Sequence, residues 1–416
     1  MKRLILLLVT VLTIVSVKAE TFAERMEHIY EDSIEVGLLT CYPGDVVYSL
    51  YGHTAIRFHN ITTNEDLTFN YGIFDFRQKF FVARFVAGKT DYQLGLCRMK
   101  TFVKEYTAER RKVVEQVLNL NQEQKVKLFL ALYDNWLPEN CTYRYNLFYD
   151  NCTTRARNIL YQVINSDTCT IAYDWQDASS ASRAEATTWR EALHTYTDSH
   201  EWAKIGNDFA LGQPADKVMT DEERQFLPIN LMEDFSRATI VSNGQSVPFV
   251  VETRTIISDF EEETSFALPT PQQVIAILAL ICVIIFLIEI KKKKIILFFD
   301  MILLSLVGVA GIVLFILALS SHPAMFINWQ ILVLTPLALV ALPFLWKATK
   351  AGKLCWWDYY IFVVTFVLWL IGVAKVQDIP MFTHILAACL ITRCLVRRII
   401  FCNFADKHSE TVLGFR

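Results

Sequence analysis

Cys152 stands in YDNCTTRARNIL, residues 149–160, directly after Asp150 and Asn151 and directly before a run with helical spacing. Asp and Asn are both preferred helix N-caps. Whichever of the two caps, Cys152 falls in the first turn. The unpaired backbone N–H groups and the positive end of the helix dipole there favour a thiolate, the reactive form of cysteine. The same N–H groups can hold an oxyanion. Such a nucleophile needs a histidine base, and the candidates ahead of the apolar half of the chain are His28, His53, His59, His194 and His200. His53 follows Gly52 in VVYSLYGHTAIRFHN, which reads as a strand with His53, Ala55 and Arg57 on one face and Thr54, Ile56 and Phe58 on the other. Spacing alone leaves the structural alternative open. A mid-strand histidine also serves as a satisfied core or edge residue, and an Asn-Cys before a helix as a purely structural turn.

The chain around these residues is built for export and for a membrane. Residues 1–19 carry Lys2 and Arg3, an apolar core and Val17-Lys18-Ala19, the pattern of a signal peptide. The alternative is an uncleaved anchor that adds a span. Five apolar stretches, 274–290, 295–320, 329–346, 359–374 and 382–400, approach the length of about 20 residues that a bilayer crossing needs. Lys291 to Lys294, then Lys347, Lys350 and Lys353, then Arg397 and Arg398 mark alternate ends of these stretches, whereas SSHPAMFIN and KVQDIP are poor in basic residues. Positive charge stays inside, so residues 20–257 face outward as one exported domain. Residues 258–273 form an acidic, proline-punctuated linker, residues 274–402 form a five-helix membrane domain, and residues 403–416 are a cytoplasmic tail. A net charge of −3 gives no sign of nucleic-acid binding. No metal or nucleotide motif is apparent, and cysteine–histidine chemistry needs neither.

Cys41, Cys97, Cys141, Cys152 and Cys169 lie in the exported domain. An oxidising compartment pairs cysteines, so the simplest expectation is two disulfides and one free thiol, with Cys141–Cys169 attractive because it would pin both ends of the Cys152 segment. LTFNYGIFDF reads as a strand in which Asn70 faces away from Phe69 and Tyr71, and FFVARFVAG continues apolar and aromatic. NLNQEQKVKLFLALYDNW reads as an amphipathic helix ended before Pro138, with Val126, Leu128, Leu130, Leu132 and Tyr133 supplying its apolar face.

LLTCYPGDVVYSLYGHTAIRF, FNYGIFDF, FVAGKTDYQLG, LPENCTYRYNLFYDNCTTRARNIL and FALGQPADK, in that order, resemble the periplasmic domain of the Lnb family of lipoprotein N-acyltransferases, and SSHPAMFINWQILVLTPLAL resembles that family's membrane part. The resemblance implies an α+β fold, a circularly permuted papain-like (NlpC-like) domain followed by an α-helical transmembrane bundle. In such folds, as in lecithin:retinol acyltransferase, the histidine strand precedes the cysteine helix, as His53 precedes Cys152. The implied reaction moves an acyl chain from a membrane phospholipid, through a thioester, to the α-amine of a diacylated lipoprotein's N-terminal cysteine.

Carried over, Cys152 is the nucleophile, His53 the base and Asn70 the residue that orients the histidine, with Asp75 and His59 as competitors for that last role. Tyr51, Tyr71, Asp150 and Arg155 flank the motifs and line the expected site. Asp150 is also read as a helix cap, and Arg155 as the partner of an acidic neighbour. In the membrane half, His322 and Asn328 sit at the outward end of a span pair as possible substrate contacts. Asp300, Asp358, His384 and Arg393 read as structural polar groups in or beside spans. Two other readings stay open: a membrane-anchored cysteine hydrolase acting as phospholipase or peptidase, and a non-enzymatic sensor in which Cys152 is structural.

Overall fold

The structure is a computed structural model that describes residues 29–75, 77–166, 169–173, 187–261 and 268–413, with side chains described as far as Cys402. The expected signal peptide and His28 lie outside the described residues. The elements of the first part run β1 (Ile34–Cys41), β2 (His53–Asn60), β3 (Glu65–Ile73), α1 (Phe81–Val86), β4 (Asp91–Arg98), α2 (Met99–Ala108), β5 (Val113–Leu118), α3 (Gln122–Trp136), β6 (Thr142–Arg144), α4 (Cys152–Ile164) and β7 (Cys169–Ala172). They continue with α5 (Trp189–Thr197), α6 (Glu201–Ala210), α7 (Asp221–Arg224), α8 (Pro228–Arg237), β8 (Thr239–Ser242), β9 (Gln245–Pro248) and β10 (Val250–Ile257).

Seven strands form an antiparallel sheet in the order β10-β5-β1-β2-β3-β4-β6, and β7-β8-β9 form a second, small sheet. Alternation along the strands sorts side chains onto two covered faces. Val36, Leu38, Ile56, Phe58, Phe69, Tyr71 and Leu94 pack under α3 and α4. Leu39, Cys41 and Ala55 pack against Phe102 and Tyr106 of α2 on the other face. The strand expected from Val46 onward starts only at His53. Val47–Ser49 turns as a short 3-10 helix, and Gly52 takes φ +77°, with Cys41 O where a Cβ would stand. Only glycine passes that point without strain. FFVARFVAG does not extend a strand: it becomes the short helix α1.

The expected disulfides are absent, and all five cysteines of this part are free thiols. The sheet carries them to separate places. Cys41 is buried on β1, Cys97 Sγ takes Asn70 Nδ2 at 3.6 Å, Cys141 lies by Pro138 O at 3.7 Å, and Cys169 takes Gln124 Nε2 at 3.5 Å. A domain of this size buries enough apolar surface to stand without covalent staples.

The second part consists of α9 (Pro271–Lys292), α10 (Leu297–Ala318), α11 (Leu337–Lys350), α12 (Trp356–Val373) and α13 (Met381–Leu413). Four segments, Pro271–Lys292, Leu297–Ala318, Trp329–Lys350 and Trp356–Val373, are long and apolar enough to cross a bilayer. The fifth expected stretch lies in α13, which carries Arg393 and Arg397 fully buried. Both are neutralised by other helices. Arg393 takes both Glu289 oxygens at 2.6 and 2.7 Å and Asp300 at 2.6 Å. Arg397 takes Asp300 and Asp358, each at 2.7 Å. These bonds tie α13 to α9, α10 and α12, which gives Asp300, Asp358 and Arg393 a structural role.

Removing one member of a buried ion-pair network strands its partners and costs roughly 3–5 kcal/mol. Arg393→Ala is therefore expected to lower the melting temperature of the detergent-solubilised protein sharply. An unchanged melting curve would mean that the network does not hold the helices together.

Candidate active site

α4 lies across β2 and β3, so the first residue of the helix, Cys152, meets the first residue of β2, His53. Asn151 fixes the helix start. Its Oδ1 accepts the N–H groups of Thr153 and Thr154 at 2.9 and 2.8 Å, and its Nδ2 donates to Leu147 O and Phe226 O at 2.7 and 2.9 Å. A hydroxyl–hydroxyl bond of 3.0 Å between Thr54 and Thr153 fastens the helix start to the strand. With Asn151 capping, Asp150 is left to pair with Arg155, through bonds of 2.6 and 2.8 Å.

The His53 ring lies within hydrogen-bonding reach of the Cys152 thiol. On its other side Nε2 is 3.1 Å from Asn70 Oδ1. Asn70 Nδ2 points to Cys97 Sγ, which turns the amide oxygen toward the histidine. Nε2 therefore carries the proton and Nδ1 faces the sulfur. Tyr106 stacks on the imidazole at 6.2 Å between centroids. Burial raises the Cys152 thiol. The charge and hydrogen bond of His53, the backbone N–H of Thr54 and the Thr153 hydroxyl outweigh that and bring it down to about 7. Burial pushes His53 down, but the Cys152 thiolate and the Asn70 bond carry it above its ordinary value. Both shifts favour the thiolate–imidazolium form of the pair. Burial raises the nearby Cys41 and Cys97 thiols instead.

Two residues that the motif reading did not single out complete the site. Gly72 has φ +98°, and a Cβ there would lie 3.7 Å from Cys152 Cβ, 3.9 Å from Tyr143 Oη and 4.0 Å from His53 Cε1. The missing side chain leaves room where the three groups converge. The Tyr143 hydroxyl is buried without a hydrogen-bond partner, and Arg155 holds its ring, with the guanidinium 3.7 Å above the centroid. Tyr71 stands edge-on to Tyr143 at 6.2 Å. The sequence hint was present in YRYNLFYDNC, but Tyr143 reaches the site only through the pairing of β6 with β4.

Two family models match the chain: the Lnb N-terminal periplasmic domain over residues 23–194 and the Lnb transmembrane domain over residues 261–403. The chain belongs to the Lnb family. No curated protein and no solved structure gives a significant match. The Lnb periplasmic match covers β1 through α4, hence His53, Asn70 and Cys152, while β10 of the same sheet lies beyond it.

The remaining expected site residues have partners of their own. His59 contacts Arg57 at 3.5 Å, and Asp75 pairs with the exposed Arg77 at 3.0 Å. Tyr51, next to Gly52, accepts a 2.6 Å bond from Asn207 of α6, and α6 packs on α9 and α10. His322 and Asn328 belong to the seam between the Lnb periplasmic and transmembrane parts. His322 Nε2 donates to Phe85 O at 2.8 Å. Asn328 is buried, donating to Phe209 O and Leu211 O at 2.9 and 3.1 Å and accepting from Gln377 at 3.1 Å. These bonds give both residues docking work.

In a Cys141→Ser/Cys169→Ser background, iodoacetamide alkylation of Cys152 is expected to rise with pH about a midpoint near 7, because the thiolate is the reactive form. His53→Ala removes the groups that lower the thiol, so its midpoint should move up toward the ordinary thiol range. Asn70→Ala weakens the imidazolium whose charge lowers the thiol, so its midpoint should also move up, by less than in His53→Ala. A parent midpoint in the ordinary thiol range would contradict the ion pair.

Proposed function

We propose that this protein is a thiol-dependent lipoprotein N-acyltransferase of the inner membrane, with a circularly permuted papain-like catalytic domain in the periplasm and the C-terminus in the cytoplasm. The observation that carries the reading is the Cys152–His53–Asn70 arrangement, a low-pKa thiol at a helix start facing an oriented imidazole. Family membership supplies the substrate class, and the basic loops beginning at Lys291, Lys347 and Arg397 support the orientation.

The first half-reaction takes the acyl group from a phospholipid. The Cys152 thiolate attacks the ester carbonyl carbon, and the carbonyl oxygen becomes an oxyanion. The Cys152 backbone N–H, which the Asn151 cap does not engage, and the Tyr143 hydroxyl donate to that oxyanion in the space left by Gly72. The C–O bond to glycerol breaks, His53 gives its proton to the leaving oxygen, and an acyl thioester remains on Cys152. In the second half the α-amine of the diacylated lipoprotein attacks the thioester carbonyl. The C–S bond breaks, and His53 takes the proton lost by the amine, restoring the imidazolium–thiolate pair. An α-amine has a pKa of roughly 7.7–8.0, so part of it is neutral at mild pH. Both substrates are anchored in the same leaflet as the enzyme, which raises their effective concentration.

Mass spectrometry of a lipoprotein's N-terminal peptide, from a host lacking its own N-acyltransferase, tests the reading. Triacyl product is expected with the parent and only diacyl product with Cys152→Ser. Only diacyl product from well-expressed parent would reject acyl transfer and favour a hydrolase. Tyr143→Phe is expected to slow the reaction on the order of 100-fold, the usual loss for one oxyanion donor, while leaving the alkylation midpoint of Cys152 in place. A fully active Tyr143→Phe would remove Tyr143 from the mechanism.

A further inference from the structure

The segment after the Asn70 strand is more apolar on its outside than a helix facing water should be. In α1 and the residue before it, Phe80 is 81% exposed, Val82 72% and Phe85 44%. Phe80 is held at φ +58°, a left-handed conformation that costs a bulky residue roughly 1–2 kcal/mol, and its ring still points away from the core. Exposed Lys79 and Lys89 flank the helix.

A second observation fixes where this helix stands. Ser321 N donates to Ala87 O at 3.0 Å, His322 Nε2 donates to Phe85 O at 2.8 Å, and the Phe85 ring meets His322 at 6.1 Å. Ser321 and His322 directly follow α10, a helix long and apolar enough to cross the bilayer. α1 is therefore pinned at the level where the hydrocarbon of one leaflet ends.

A third observation leads inward. The rings run in series from Phe85 to Phe81 at 6.3 Å, Phe81 to Phe74 at 5.8 Å, Phe74 to Tyr92 at 4.8 Å and Tyr92 to Tyr145 at 4.3 Å. Tyr145 and Cys152 both pack against the core that α3 and α4 cover, and burial together with the Cys152 thiolate charge raises the Tyr145 hydroxyl well above its ordinary value. Contacts of this kind suit an alkyl chain, which needs apolar area without directional partners.

We propose that α1 lies in the outer leaflet's interface and that a glycerophospholipid acyl chain reaches Cys152 along Phe85, Phe81, Phe74, Tyr92 and Tyr145. The proposal deepens the acyltransferase reading and rests on it for the acyl step, but the membrane contact of α1 stands apart from it. The surface is continuous with the bilayer-spanning bundle, so lipid is the occupant it fits.

Photocrosslinking of the full-length protein in phosphatidylethanolamine–phosphatidylglycerol vesicles tests the contact. With p-benzoylphenylalanine at position 82 or 85, mass spectrometry is expected to find phospholipid adducts, with none from position 61 at the turn after β2. Absence of lipid adducts at 82 and 85, or adducts only to a second copy of the chain, would overturn the proposal. Val82→Glu changes a mostly exposed side chain, so it tests access without opening the core. Its thioester formation from vesicle phospholipid should fall at least about tenfold, since a charge replaces an apolar side chain that faces lipid, with iodoacetamide labelling of Cys152 unchanged. Thioester formation equal to the parent would remove α1 from the route. Lipid adducts at 82 and 85 in a parent that forms no thioester would leave the contact standing and reject the acyltransferase reading instead.

Discussion

A half-buried thiolate and a half-buried imidazolium are each costly alone, and each is favoured by the presence of the other. That mutual dependence is the constraint around which this fold is arranged. Cys152 must start a helix, His53 must start a strand, and the two starts must coincide. Asn151 sets the first, Gly52 the second, and the Thr54–Thr153 bond holds them together. Asn70 then fixes which nitrogen faces the sulfur. None of these residues is exchangeable on hydrophobicity alone, because each acts through one hydrogen bond or one backbone angle.

A second constraint is the fixed position of the site relative to the membrane. The seam is polar and densely bonded. Arg190 reaches Asp208 at 3.1 Å and Asp216 at 2.7 Å, Gln330 donates to Asp208 O at 2.7 Å, and Asn328 and Gln377 close on Leu211 O. Asn207, next to Asp208, holds Tyr51, two residues from His53. The His53 strand is thus linked through α6 to the bundle. A buried network of this kind contributes specificity of arrangement more than net stability. Deeper in the bundle, the Glu289, Asp300, Asp358, Arg393 and Arg397 cluster fixes the helices to which the seam attaches.

The sequence made the local parts legible. An Asn-Cys before a helical run announces a cap and a first-turn thiol, and alternation around His53 announces a strand. What it concealed depended on pairing at a distance. Tyr143 comes to the dyad through the β4–β6 ladder, and the role of Gly72 follows from an absent side chain. The apolar character of FFVARFVAG was plain, but its turn into a helix against Ser321 and His322 is a tertiary contact. The disulfide expectation failed because counting cysteines says nothing of where a sheet places them. His322 and Asn328 were legible as the end of a span pair, whereas their hydrogen bonds to backbone carbonyls across the seam were not.

The central claim is that Cys152 carries an acyl group taken from a phospholipid. Intact-protein mass spectrometry after incubation with phospholipid vesicles, without lipoprotein acceptor, tests it most directly. The account predicts a mass increase of one fatty acyl chain on Cys152, removed by neutral hydroxylamine and absent in His53→Ala. An unmodified chain under conditions where Cys152 still reacts with iodoacetamide would contradict it.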